Sequence, residues 1–173
     1  MRVYGAKPLK ARRRFVLATF MLTGAWMGVR AGAVRAQPAR PASGLTLPTV
    51  AALDQAQAAA HASGNPLIIM VSLEGCPFCK VVRESFLLPM VREQNLPIFQ
   101  VDMRSQVALR DFQGKPSTQD LMIRQWGVRI APTVLFFGKG GIEVAERLKG
   151  SYLSDFYGAY LESRIETGRK ALL

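Results

Sequence analysis

The sequence predicts an α/β fold in which a mixed β-sheet is covered by helices on both faces. Three observations carry that expectation. The run Leu67 to Leu73 (LIIMVSL) is short and almost wholly apolar, as a strand buried on both faces requires. Helical stretches separate the early strands, which is how a parallel pair is joined. A glycine-rich stretch, Gly138-Lys139-Gly140-Gly141, then links two late strand-like runs as a hairpin.

Taken in order, Thr49 to Ser63 is Ala-rich, with Thr49 as the predicted N-cap and Gly64 as the stop. The first strand follows, set off by Asn65-Pro66 and Glu74-Gly75. Residues 79–94 predict a helix with Val82, Phe86 and Met90 along one side, and Pro89 predicts a bend or break near Leu88. Pro97 to Met103 reads as a second strand. Ser117 to Trp126 predicts a helix, opened by Ser117 with Asp120 three residues on and closed by Gly127. Thr133 to Phe137 and Ile142 to Leu148 form the predicted hairpin. In the last helix Leu153, Phe156, Tyr157, Tyr160, Leu161 and Ile165 repeat at three and four, with Gly168 at the end.

Charge divides the 173 residues unevenly. Residues 1–36 hold eight of the 23 Lys+Arg and no acid. A cluster ending at Arg14 precedes fifteen uncharged residues, Phe15 to Val29, and small residues follow at once. That apolar run is shorter than the roughly 20 residues of a spanning helix. Its order is that of a secretory signal peptide over 1–36, cleaved after Ala36 or Ala33, with an uncleaved membrane anchor as the rival reading. Arg12-Arg13-Arg14-Phe15-Val16 also resembles a twin-arginine export signal, although Ala11 stands where Ser or Thr is usual. Both readings place the protein in or facing the periplasm. Gln37 to Pro48, with three prolines and no hydrophobic period, reads as a linker to a domain over 49–173. Taking eight from 23 leaves 15 Lys+Arg against 12 Asp+Glu, a net +3, so the formal +11 does not indicate a nucleic-acid partner.

One motif carries chemistry: Cys76-Pro77-Phe78-Cys79, at a strand end and a helix start. A thiol at a helix N-terminus has its thiolate stabilised by the dipole and the free N–H groups, which makes it nucleophilic. Two cysteines so spaced can cycle between dithiol and disulfide. Cys76 is expected to be the more exposed and to attack, and Cys79, one turn on and facing inward, to resolve the mixed disulfide. Lys80 adds a positive charge and Glu74 opposes it. An inert disulfide is the plain alternative, but closing so short a loop removes little chain entropy. Zinc would need two more ligands where the chain offers His61 and scattered acids, so neither a metal nor any cofactor beyond the disulfide is expected. His61, late in an Ala-rich helix, reads as a surface or partly buried residue.

Over about residues 50–167 the chain resembles the thioredoxin superfamily. The resemblance rests on CPFC with Lys80 after LIIMVSL, on Trp126-Gly127-Val128-Arg129-Ile130-Ala131-Pro132-Thr133 before VLFF, and on the closing hairpin and helix after Lys149-Gly150. The segment from Asp111 to Lys115, with Gly150-Ser151-Tyr152-Leu153 and Phe156, is similar to exported bacterial thioredoxins of the disulfide-isomerase and sulfur-oxidation kind. It implies a thioredoxin fold and a thiol-disulfide oxidoreductase. It also implies a cis bond before Pro132, with the Ala131 backbone pairing with an extended substrate beside Pro77 and Phe78. Proline cannot donate to a sheet ladder, so a place just before TVLFF suits it.

Two positions depart from the family. Met70 stands where thioredoxins carry a buried acid six residues before the first cysteine, and Gly75 stands where a tryptophan is usual. Strongly oxidising relatives carry a His between the cysteines that stabilises the attacking thiolate, and Phe78 cannot do so. A reductase or isomerase-like reductant of protein or small-molecule disulfides is therefore expected, with disulfide-containing proteins as partners and a membrane thiol transporter as electron donor. A dithiol oxidase of the same fold is one alternative. Another is a binding module using the groove at Ala131-Pro132, lined by aromatics such as Phe78, Phe112 and Trp126, although the last two also suit a core.

Overall fold

The computed structural model describes residues 46–150 and 156–173. The expected leader over 1–36, the first part of the expected linker and residues 151–155 of the expected last helix lie outside the described residues.

Helix α1 (Leu53–Ala62) leads into strand β1 (Leu67–Ser72). A continuous helical segment follows, in three parts: α2 (Pro77–Val81), a π-helical stretch (Val82–Leu87) and α3 (Leu88–Gln94). Next come β2 (Ile98–Asp102), β3 (Ala108–Arg110), β4 (Pro116–Thr118) and α4 (Gln119–Gln125). The chain closes with β5 (Thr133–Phe137), β6 (Leu148–Lys149) and α5 (Tyr157–Lys170). The main sheet runs β2-β1-β5-β6, with β1 parallel to β2 and antiparallel to β5, and β5 antiparallel to β6. The mixed sheet expected from the sequence is therefore present.

The period-2 alternation of strand side chains divides β1 between two cores. Ile68 and Met70 face one side, with Val82, Leu87 and Leu88 from the 77–94 segment and Leu161 and Ile165 from α5. Leu67, Ile69 and Val71 face the other, with Leu53 and Ala60 of α1 and Met122 and Ile123 of α4. On this second side Phe137 lies between Phe112 and Trp126, with ring centroids 4.9 and 5.1 Å away. Gly168 lets α5 approach the turn before β1, since a Cβ there would sit 2.8 Å from Pro66 Cγ. Among the described residues no helix is long and apolar enough to cross a membrane.

Several elements differ from the sequence reading. Ala52, not Thr49, caps α1, because Thr49 is drawn into a parallel bridge with Gln100. Leu47 is buried in the core and Pro48 O accepts from Gln100 N at 2.9 Å, so the packed region begins before Thr49. Leu45 and Leu47, ahead of Pro48, are too few apolar residues to give a period to read. Pro89 does not break its helix: it is the second residue of α3, directly after the π stretch, and that wider stretch accommodates a residue without an N–H. Strands β3 and β4 form a small antiparallel pair that the sequence reading lacks. Ser117 lies in β4, and Thr118 is the cap, its Oγ1 accepting from Leu121 N at 3.3 Å. The expected strand over 142–148 shrinks to the two residues of β6, because a short 3-10 turn (Lys139–Gly141) and a single Phe137–Glu143 bridge take up the connection. Phe156 and Tyr160 are exposed, and Gly168 lies inside α5 rather than at its end.

Tyr157, at the start of α5, packs on Phe86 with centroids 4.9 Å apart, and its hydroxyl has no partner among the described residues. Burial pushes its phenol up from 10 to about 12. A raised folded-state pKa makes stability fall with pH where the unfolded phenol has ionised and the folded one has not. The contribution is therefore complete below pH 10 and declines from there to about pH 12. Urea midpoints of the wild type and Tyr157→Phe across this range should diverge, with only the wild type losing ~1 kcal/mol per pH unit from this group. Parallel curves would refute the assignment.

Candidate active site

The site forms where β1 ends and α2 begins. Gly75 takes φ +73°, a left-handed turn that a residue with a Cβ adopts at a cost, and Cys76 follows in extended conformation (φ −81°, ψ 109°) as the N-cap. Pro77 occupies the first helical turn, where its missing N–H is no loss. Cys79 N–H then donates to Cys76 Sγ at 3.1 Å, and Lys80 N–H to Cys76 O at 3.2 Å. Backbone dipoles at the head of the helix therefore point at the first sulfur, the arrangement that favours a thiolate there.

Cys76 and Cys79 are joined by a disulfide, with Cα atoms 5.3 Å apart. The two sulfurs differ in access. Cys76 is half-buried, whereas Cys79 is 1% exposed and packs in the same core cluster as Met70 and Val82. Asp120, the buried acid among the described residues, is engaged elsewhere: it pairs with Arg124 and accepts from Arg104 N. Neither Glu74 nor Lys80 forms an ion pair among the described residues. No cluster of three or more His, Cys, Asp or Glu able to hold a metal ion occurs among them either.

The Ala131–Pro132 bond is cis. Pro132 is buried, and Ala131 packs, partly exposed, against the same core cluster as Cys76. The loop is fixed from three sides. Thr133 Oγ1 donates to Ile130 O at 2.7 Å, Gly150 N to Pro132 O at 2.8 Å, and Arg147 Nη1 to Trp126 O at 2.9 Å. Phe78 stands 51% exposed beside the disulfide, while Phe112 and Trp126 pack against the core beneath α1 and α4. Those two are therefore core aromatics and not groove lining. His61 is partly buried on α1 and takes no part in the site.

An open groove of about 1060 Å³ runs from Cys76 and Pro77 across to the end of β2. Its wall includes Arg83, Gln100, Asp102 and Arg104, none of which sequence reasoning singled out. The parallel pairing of β1 with β2 brings Gln100, Asp102 and Arg104 there and the 77–94 helical segment brings Arg83, and no local pattern announces it.

Residues 53–164 match the thioredoxin-like domain family. No curated protein sequence matches the chain. Solved structures that overlap it include the periplasmic thioredoxin SoxS from Paracoccus pantotrophus, at 19% identity over 58% of this chain and 95% of that one, with TM-score 0.41. A thioredoxin-fold protein from Helicobacter pylori overlaps at 15% identity over 62% and 73%, with TM-score 0.45. The C-terminal domain of DsbD from Neisseria meningitidis, in its oxidised form, overlaps at 17% identity over 64% and 90%, with TM-score 0.44. These overlaps are partial, and it is the family match, spanning most of the chain and enclosing both cysteines and the cis-proline loop, that places it: the protein belongs to the thioredoxin-like domain family.

Proposed function

We propose that the protein is an exported thiol-disulfide oxidoreductase that works as a reductant of disulfides. The observation that carries this reading is the unequal pair of sulfurs at a helix start: Cys76 half-exposed with an N–H aimed at it, Cys79 enclosed behind. In the forward cycle the Cys76 thiolate attacks one sulfur of a substrate disulfide, whose S–S bond breaks and whose other half leaves as a thiolate that takes up a proton. Cys79, deprotonated, then attacks Cys76 Sγ and releases the second half as a thiol. Two electrons pass from the dithiol to the substrate, and the chain is left with the Cys76–Cys79 disulfide described above. The Ala131 backbone, Pro132, Pro77 and Phe78 are the surface against which the substrate lies.

Met70 gives this protein no buried acid to take the Cys79 proton, so that proton passes to solvent or to the departing thiolate. Phe78 between the cysteines gives no imidazolium to stabilise the reduced form, which supports a reducing direction. Regeneration needs a two-electron thiol donor, and for a protein carried outside the cytoplasm by the 1–36 leader that donor is a membrane thiol transporter. Equilibration with glutathione or dithiothreitol buffers measures the direction. The Cys76/Cys79 couple is expected well below about −120 mV, and a value near that of strong oxidants would make the protein a dithiol oxidase instead.

A further inference from the structure

The groove beside the disulfide holds cationic charge that no neighbouring carboxylate contacts. Arg83, one turn beyond Cys79 in the π stretch, donates from Nη1 to Gln100 Oε1 at 2.8 Å. Gln100 Nε2 in turn donates to Asp102 Oδ1 at 2.8 Å. The acid thus reaches the guanidinium only through a neutral amide, which orients Arg83 without cancelling its charge. Arg83 Nε is shut off from solvent and has no partner among the described residues.

Arg104 stands at the far lip on a left-handed backbone, φ +65°, held by its N–H to Asp120 Oδ1 at 3.1 Å. Asp120 Oδ2 is taken by Arg124 at 2.8 Å, so Arg104 gains no counter-charge from it. Lys80 also lines the groove, and neither Lys80 nor Arg104 forms an ion pair among the described residues. Glu74 and Asp102 are the acids of the lining, the first on the exposed turn before Cys76 and the second engaged with Gln100. A planar guanidinium presents several N–H donors in a fixed fork and is suited to a carboxylate, which accepts charge-assisted bonds from it.

From this geometry we infer that the groove recognises a carboxylate carried by the disulfide substrate, with Arg83 as the anchoring residue and Lys80 and Arg104 as supporting charges. The inference rests on the oxidoreductase reading above. Cys76 itself lines the groove, so a substrate sulfur that reaches it carries its neighbouring atoms past these cations. The substrate class is a disulfide with a carboxylate close to the sulfur, in a small molecule or in an acidic stretch of polypeptide.

The test uses the full chain, reduced beforehand with dithiothreitol and freed of it, in single-turnover reactions at low salt. Dithiodipropionate, hydroxyethyl disulfide and cystamine provide anionic, neutral and cationic substrates, each normalised to its own rate with dithiothreitol. A parallel arm uses disulfide-linked peptides with Glu or Gln beside the cysteine. The anionic substrate is expected to react about tenfold faster than the cationic one, a preference that added salt reduces. Arg83→Gln should bring the ratio to within about twofold, and Arg104→Asn, which suits the left-handed backbone and sits on the exposed lip, should lower it by about threefold. A preference in either arm supports the groove, and the arm that shows it names the source of the carboxylate. Equal normalised rates for all substrates, or a preference unchanged in both variants, overturn the inference while leaving the oxidoreductase intact. Failure to reduce even hydroxyethyl disulfide overturns both readings.

Discussion

Cys76→Ser is expected to abolish disulfide reduction, with turnover of insulin or a small disulfide lowered at least ~10³-fold. A serine hydroxyl is not ionised near neutral pH and cannot form the mixed disulfide on which the cycle depends. Cys79→Ser should behave differently. Its Cys76 still attacks, but the enclosed position behind it no longer supplies a sulfur to release the product. The variant should therefore accumulate covalent adducts with its substrates, visible as bands that vanish on reduction. These adducts would also identify the substrates. A binding module would keep its partners and its function in both variants, and retention of full activity by Cys76→Ser would rule out the proposed chemistry.

Phe137→Ala is the substitution expected to cost the most stability. The ring is 1% exposed, and two other aromatic rings, Phe112 and Trp126, pack against it. Truncation leaves a cavity bounded by the sheet and by groups that cannot collapse into it, so a loss of ~3–5 kcal/mol is expected. Domains of this size are typically stable by only about 5–15 kcal/mol. The variant should melt more than about 10 °C below the wild type. Ile142→Ala, five residues on and 69% exposed, provides the contrast, with a change within about 0.5 kcal/mol. Equal melting temperatures for the two variants would mean that the aromatic cluster does not hold the second core together.

The parts of the fold legible in the sequence are those whose local pattern and tertiary role agree. LIIMVS is buried along its whole length as β1, TVLFF likewise as β5, and Gly127 closes α4 in left-handed conformation. The cysteine motif falls at the strand end and helix start where its spacing put it. What was not legible depends on contacts distant in sequence. Strands β3 and β4 are three residues each and too short to show a period, and they exist because they pair with each other and because Arg110 N–H donates to Ala51 O. Thr49 has the chemistry of a helix cap, yet a strand edge competes for its backbone and wins. Arg83 and Gln100 meet across seventeen residues of chain through the 77–94 helical segment and the β2 register, so neither carries a motif of its own.

The short stretch ahead of α1 has a protective consequence. Strand β2 is the outermost member of the sheet, and its free side would present unpaired N–H and C=O groups. Pro48 and Thr49 satisfy that side at Gln100, and Ala51 and Ala52 do the same for β3 at Arg110. An uncovered strand edge is a template for self-association. These few residues therefore act as a stopper against intermolecular β-pairing on this side, and a cut just upstream of α1 would leave the β2 edge open to it.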